Sequence, residues 1–319
     1  MVALVACNKF GLGQTCCSSG VPISNSLGLP NQEANHFQAL FSYDYNYLDQ
    51  LNTGTENLGS INRRRRTQSV LAQFGYTFNE YLSVEGLASH VSQLRRNTLN
   101  SGEEENTKTS GIGDIVLLGK YNVFGDELGK ELSIGLGAKL PTGSADQLNN
   151  EGRFIIADLQ PGSGSLDGIA WLRYSLNITK KGSRFISINP SYKWNGSYDD
   201  YLNNTATYRF GNELQIFAAL NDQFVVAEKL LNTSIGVRYR DRARDQQAIA
   251  TAEELELPGT GGAWFIAEPS LLYQLNNSFA ILMNADIPLY SDVNETQLTP
   301  TYRLNGGIAF SIPTKHSNE

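Results

Sequence analysis

The chain has 319 residues, 40% of them hydrophobic, 10% aromatic and only 18% charged, with 25 Lys+Arg against 32 Asp+Glu for a formal net charge of −7. That acidic balance argues against a nucleic-acid partner, which needs a basic face, and no window approaches the roughly 18 consecutive apolar residues of a membrane-spanning helix. What remains is a large all-β protein whose apolar face meets either a core or lipid.

All three cysteines, Cys7, Cys16 and Cys17, precede residue 18, so none can staple the body of the fold. Leu4-Val5-Ala6-Cys7 resembles the lipobox of a bacterial lipoprotein signal, whose cysteine becomes the lipidated first residue, but no basic n-region precedes it. The expectation is a start inside a longer precursor, with Cys7 either lipidated or part of an ordinary signal remnant. No histidine is spaced to complete a tetrahedral metal shell with these thiols. Residues 8–35, rich in Gly, Ser and Asn, read as an extended tail or as a plug for the body of the fold.

From His36 to residue 313 apolar residues recur at every second position, the period of strands. Phe37, Phe41, Tyr43 and Tyr45 form one face of the first strand, with Gln38, Ser42 and Asp44 on the other. Val70, Phe74 and Tyr76 mark the second, Leu82, Val84 and Ala88 the third, and Ile115, Leu117 and Tyr121 the fourth. The fifth sets Leu132, Ile134 and Leu136 against Ser133, Gly135 and Gly137, glycines that would leave space inside a barrel. Ala170, Leu172 and Tyr174 mark the sixth, Ile186, Ile188 and Trp194 the seventh. The eighth runs from Tyr208 and Phe210 to Ala218, the ninth from Val225 and Ala227 to Tyr239. Phe265 to Tyr273, Phe279 to Leu289 and Tyr302 to Ile312 complete twelve strands, most of them ten residues or longer.

Short turns at Asn79-Glu80, Gly125 to Lys130, Thr179 to Ser183, Asn221-Asp222 and Asn276-Asn277 alternate with long polar segments at 51–68, 96–110, 141–165, 195–206, 240–261 and 291–300. Such sorting, with an even strand count, predicts a single transmembrane antiparallel β-barrel of about twelve strands, short periplasmic turns and long extracellular loops, placed in the bacterial outer membrane with both termini in the periplasm. Aromatics toward strand ends suit the membrane interface. Asn305 to Ile312 resembles the C-terminal signal read by the barrel-assembly machinery, a partner in biogenesis, although Pro313 and a 314–319 tail come after it.

The inward face is polar and of mixed sign. Its candidates are Glu85, Asp114, Lys120, Lys139, Asp167, Arg173, Lys193, Arg209, Glu213, Glu228, Arg238, Glu268, Asp286 and Arg303, which either pair across the sheet as a rigid lattice or line a wet pathway. Two charge runs, Arg63-Arg64-Arg65-Arg66 and Glu103-Glu104-Glu105, fall in predicted outer loops. They read as solvated charges, as a loop-to-loop pairing or, for the arginines, as contacts to lipopolysaccharide phosphates. The histidines, His36, His90 and His316, lack the companions that hydrolase chemistry requires, so neither an enzyme nor a cofactor is expected. Asp199-Asp200 and Asp292-Val293-Asn294-Glu295 are the loop clusters with the oxygen donors calcium would use.

Gly111-Ile112-Gly113-Asp114-Ile115, Gly119-Lys120-Tyr121, Gly137 to Ser144, Leu159 to Gly164 and Asp286-Ile287-Pro288-Leu289-Tyr290 form an ordered set. Together they resemble the "MetA-pathway of phenol degradation" outer-membrane family over roughly residues 111–313. The resemblance implies an outer-membrane barrel and passive uptake of small, apolar or aromatic substrates. The expectation is therefore such a channel in a Gram-negative envelope. The alternative is a non-conducting accessory barrel that docks a larger envelope complex through a protein partner.

Overall fold

The computed structural model describes residues 29, 34–60, 62–98, 102–125, 130–179, 183–249 and 253–314. Its strands are, in chain order, β1 (His36–Gly54), β2 (Glu56–Asn57), β3 (Arg63–Thr77), β4 (Leu82–Thr98), β5 (Glu104–Ile112), β6 (Ile115–Gly125), β7 (Lys130–Leu140), β8 (Asp167–Asn177) and β9 (Arg184–Trp194). Next come β10 (Ser197–Asp200), β11 (Ala206–Arg209), β12 (Glu213–Val226), β13 (Lys229–Arg242), β14 (Gln246–Ile249), β15 (Leu255–Glu256), β16 (Gly262–Gln274) and β17 (Phe279–Pro313).

Eleven of these, β1, β3, β4, β6, β7, β8, β9, β12, β13, β16 and β17, hydrogen-bond in sequence order as one antiparallel sheet, and the pairing of β17 with β1 closes it. β2 and β5 hang from β1 and β4 outside the ring. The 35-residue β17 is itself a hairpin. Residues 280–293 pair with β16 and residues 293–313 with β1, while Ser311 N donates to Ser278 O at 2.8 Å. The chain reverses at Asn294-Glu295, where Glu295 has φ 54°. Its two arms bring the number of crossings to twelve and return the C-terminal end beside Asn35, whose carbonyl accepts from Thr314 N at 2.7 Å.

The period of two sorts side chains between lipid and lumen. On β1, Phe41 and Tyr43 stand exposed while Ser42 and Asp44 are buried; Leu136, Val225, Ile235 and Met283 are likewise exposed. This inverts a water-soluble sheet, because the solvent of the outer face is hydrocarbon. Tyr45 and Tyr47 pack on Tyr302 at one rim (6.1 and 5.6 Å between rings), and Tyr81 on Tyr121 at the other (6.1 Å). Such rings keep an apolar body and a wet tip at each membrane interface.

The wall is taller than the apolar pattern. Residues 51–68, 96–110 and 291–300, expected as long loops, mostly continue as strand. Above the membrane both sheet faces are polar, so hydrophobic alternation stops while the hydrogen-bonded ladder runs on. Three long connections remain, at 141–166, 195–212 and 243–261. The turn expected at Asn221-Asp222 lies instead at Ala227-Glu228, whose φ of 49° and 62° fits a tight hairpin. Asn221 and Asp222 are paired within the ladder to Ser234 and Thr233. Tyr208 and Phe210 do not begin the eighth crossing. Tyr208 belongs to a separate outer sheet, β10-β11-β14-β15, built by the two later loops, and Phe210 directly follows its second strand.

One local irregularity positions the site. β4 pairs with β5 through its outer half and with β6 through its inner half, and Gly113-Asp114 drop out of the ladder between them. The break shifts the alternation, so Thr109 faces inward above it and Asp114, Val116 and Leu118 below it. Such interruptions re-aim a side chain without ending a strand.

Candidate functional site

The connection 141–166 does not lie over the barrel mouth. Ile155, Ala157, Asp158, Leu159, Gln160, Ser163 and Ser165 are all buried, the single turn at Ala157–Leu159 among them. Arg65 of β3 holds it: Nη1 lies 2.6 Å from Asp158 Oδ2 and Nη2 donates to the Asp158 carbonyl at 2.7 Å. Gln93 of β4 accepts from Arg65 Nε at 3.1 Å and donates through Nε2 to Gln160 O at 3.2 Å. Thr109 Oγ1 donates to Leu159 O at 2.6 Å. Three wall strands thus satisfy polar groups that an inserted loop would otherwise bury without partners.

The two ends of the loop meet at Asp114. Its Oδ1 accepts from Gly143 N (2.9 Å), and its Oδ2 accepts from Ser163 N (2.8 Å) and Ser163 Oγ (2.7 Å). Lys139 bridges Asp114 (3.1 Å) and Asp167 (2.7 Å) and also contacts Ser163. Asp167 accepts in turn from Ser165 Oγ (2.8 Å) and Gly196 N (3.1 Å). Gly143 and Gly162 cross in direct backbone contact. A Cβ on Gly162 would stand 2.5 Å from the Gly143 carbonyl carbon, so the crossing has room for glycine alone.

Phe154 and Ala157 of the loop pack with Tyr201, Tyr208 and Phe210 in a largely aromatic cluster that ties the loop to the outer sheet. Tyr208 donates to Asp245 Oδ2 at 2.7 Å, and Asp245 Oδ1 accepts from Gly211 N at 2.8 Å and contacts Arg242. Burial, and then the carboxylate beside it, hold the Tyr208 phenol well above the ordinary tyrosine value.

Around the closing seam the lumen carries a ladder of charges. Arg238 of β13 contacts Glu268 of β16 and lies 3.1 Å from Asp286 of β17; Arg303 lies 3.5 Å from Asp286 and 2.6 Å from Asp44 of β1. Arg240 pairs with Glu213 at 2.6 Å, and Lys120 with Glu85. Below the ladder, toward the short turns, lies a cavity of about 440 Å³. Leu40, Leu272 and Leu282 line it together with Gln38, Gln73, Asn232 and Gln274, and among the described residues no charged side chain lines it. Leu29 stands at its wall, its N–H donated to Glu85 Oε2 (3.0 Å) and its carbonyl accepting from Lys120 Nζ (2.7 Å). The tail reaches the lumen at this residue; residues 8–28 and 30–33 of the suggested plug, and Cys7, lie outside the described residues.

Glu85, Asp114, Lys120, Lys139, Asp167, Lys193, Glu213, Arg238, Glu268 and Asp286 are buried on the inner face, and Arg173 and Arg303 are half-buried there. Two expected lumen residues lie elsewhere. Arg209 sits in the outer sheet beside Glu254 (3.1 Å), and Glu228 is an exposed residue of a short turn. Both errors come from strand ends misplaced by a few residues. The space expected at Gly135 and Gly137 is filled: Leu118 packs against both and Trp171 against Gly135. Arg63–Arg66 lie in a strand, not a loop, and of the four only Arg64 and Arg66 are exposed. Asp158, Arg242 and Asp245 are not among the sequence candidates, Asp44 enters there only as part of the inner face of the first strand, and Arg65 only as a loop contact, whereas it is buried against Asp158. Parity along their strands marks Asp44 and Arg242, whereas Asp158 carries no periodic signal.

Residues 89–304, more than half of the chain, match the model of the family described as "MetA-pathway of phenol degradation". No curated protein matches the chain. Among solved structures it is similar to the outer-membrane channel from Pseudomonas putida F1, with 14% identity, a TM-score of 0.65, and 92% of this chain and 100% of that one covered. It is also similar to the transport unit of the autotransporter AIDA-I from Escherichia coli (11% identity, TM-score 0.47, 90% and 95% covered). A Pseudomonas aeruginosa FadL homologue matches at 6% identity and a TM-score of 0.41, with 88% and 91% covered. The first of these likenesses shows the fold, a barrel of the outer-membrane type.

Proposed function

The chain belongs to the "MetA-pathway of phenol degradation" family, and on that premise we propose that it is an outer-membrane channel for passive uptake of small apolar or aromatic molecules. The observation that carries this reading is the uncharged cavity of about 440 Å³ inside an otherwise charged lumen. An apolar cavity of about 150 Å³ suffices for benzene, so a single substituted ring fits here. Leucines supply the apolar surface, and the neutral amides supply hydrogen bonds without the desolvation cost of a charge.

Uptake of a radiolabelled neutral monoaromatic compound by cells producing the protein tests this, beside cells producing Leu272→Glu. Faster uptake with the native protein, abolished by the carboxylate, is the expected result. Equal uptake by both, or by cells without the protein, overturns the reading. The non-conducting accessory barrel stands as second reading because the connection 141–166 is folded against Arg65, Gln93 and Thr109 on the inner face of the wall. Silence of the full-length protein in a planar bilayer, together with no uptake, would favour it.

A further inference from the structure

Strand periodicity divides the arginine run: Arg65 turns inward to Asp158, while Arg64 and Arg66 point outward, away from the lumen, and are exposed. Their neighbours on the same outer surface are also cationic. Arg64 stands directly opposite Arg96 of β4, and the next row places Arg66, Leu94 and Lys108 on three adjacent strands. At roughly 4.8 Å between strands and about 7 Å between rows, four cations share one small patch. Arg96 has a carboxylate 3.5 Å away, on Glu104. Among the described residues Arg64, Arg66 and Lys108 have none within ion-pair distance. Like charges directly opposite in a sheet repel, so the patch is complementary to an anion that the protein does not itself supply.

Its height identifies the anion. Tyr47 is paired with Arg66 and Tyr45 with Gln68, so the patch begins at the aromatic girdle and rises above it. Val70, two residues below Gln68, is exposed to hydrocarbon. Cations outside the wall and just above the girdle stand at the headgroups of the outer leaflet. From this geometry we propose that Arg64, Arg66, Arg96 and Lys108 form a binding site for the phosphates of lipid A, the anchor of lipopolysaccharide. Guanidinium groups bind phosphate in two parallel hydrogen bonds, which suits three of the four to this ligand. The inference rests on the outer-membrane location and is independent of what the lumen carries.

The test uses the full-length protein in mild detergent and native mass spectrometry with four probes: lipid A with two phosphates, lipid A with one, phosphatidylglycerol, and inorganic phosphate. The native protein is expected to bind two-phosphate lipid A most tightly, with weaker binding of the one-phosphate form. The R64Q/R66Q/R96Q/K108Q variant should bind it roughly a thousandfold more weakly, given the attraction each of the four basic side chains contributes at an anionic surface. An R184Q/K229Q control, which removes exposed cations at the opposite rim, should bind like the native protein. Should the fourfold variant fail to form a heat-modifiable barrel, R66Q/K108Q carries the same comparison. Undiminished binding by the variant, absence of lipid A binding, or equal affinity for phosphatidylglycerol or inorganic phosphate would overturn the assignment.

Discussion

Replacing Asp158 by alanine strands Arg65 inside the wall. The pair is buried on both sides, with 1% and 3% of the side chains exposed. Breaking a buried ion pair by deleting one partner costs about 3–5 kcal/mol, because the remaining charge keeps its desolvation penalty. Gln93 still accepts from Arg65 Nε at 3.1 Å, which places the cost toward the lower end. The wall strand is fixed by its ladders, so the cost falls on the docking of the loop. At 1.4 kcal/mol per factor of ten, the undocked population rises by about two orders of magnitude. A cysteine at Ala157, buried at 6% exposure, reports this once Cys7, Cys16 and Cys17 are changed to serine. Its rate of modification by a membrane-impermeant maleimide should rise by about a hundredfold with Asp158→Ala, and single-channel conductance should rise with it. A rate unchanged within about threefold would refute the claim that this pair holds the loop.

Three further outcomes are expected from the same geometry. Asp114→Ala removes the acceptor of Gly143 N, Ser163 N and Ser163 Oγ and one of the two carboxylates of Lys139. It should lower stability by about 3–5 kcal/mol in urea titration in detergent, with Asp114→Asn intermediate. Gly162→Ala should prevent the loop from closing and expose Arg153 and its neighbours to protease, because a Cβ there meets the Gly143 backbone at 2.5 Å; Gly152→Ala, at φ +73° in open space, should cost only about 1 kcal/mol. Tyr208 should ionise well above the ordinary tyrosine value in an ultraviolet difference titration, a late component that Tyr208→Phe removes. Because its pKa is raised in the folded state, Tyr208 affects stability only above about pH 10, where the unfolded phenol loses its proton first and stability falls as pH rises.

Much of the barrel is legible in the chain because each strand meets two solvents. Phe41 and Tyr43 against Ser42 and Asp44, or Leu136 against Gly135 and Gly137, state locally which face meets lipid, and a period of two carries that along every crossing. The even count of crossings, the common side of both termini and most inward charges come from the same information. It fails where both faces are polar: the ladder continues through Arg63–Arg66 and Glu104–Ile112 without any hydrophobic alternation to announce it.

Tertiary structure alone decided the inserted loop. Asp158 finds Arg65, and Asp44 finds Arg303, across long stretches of the chain, because closure of β17 on β1 and the break at Gly113-Asp114 bring them face to face. Gly135 and Gly137 could be read as space until Leu118 and Trp171 were seen to occupy it. Periodicity records the surroundings of a residue's own strand. Which buried charge meets which, and whether a polar segment hangs in water or folds into the lumen, depends on register and closure, which no local pattern contains.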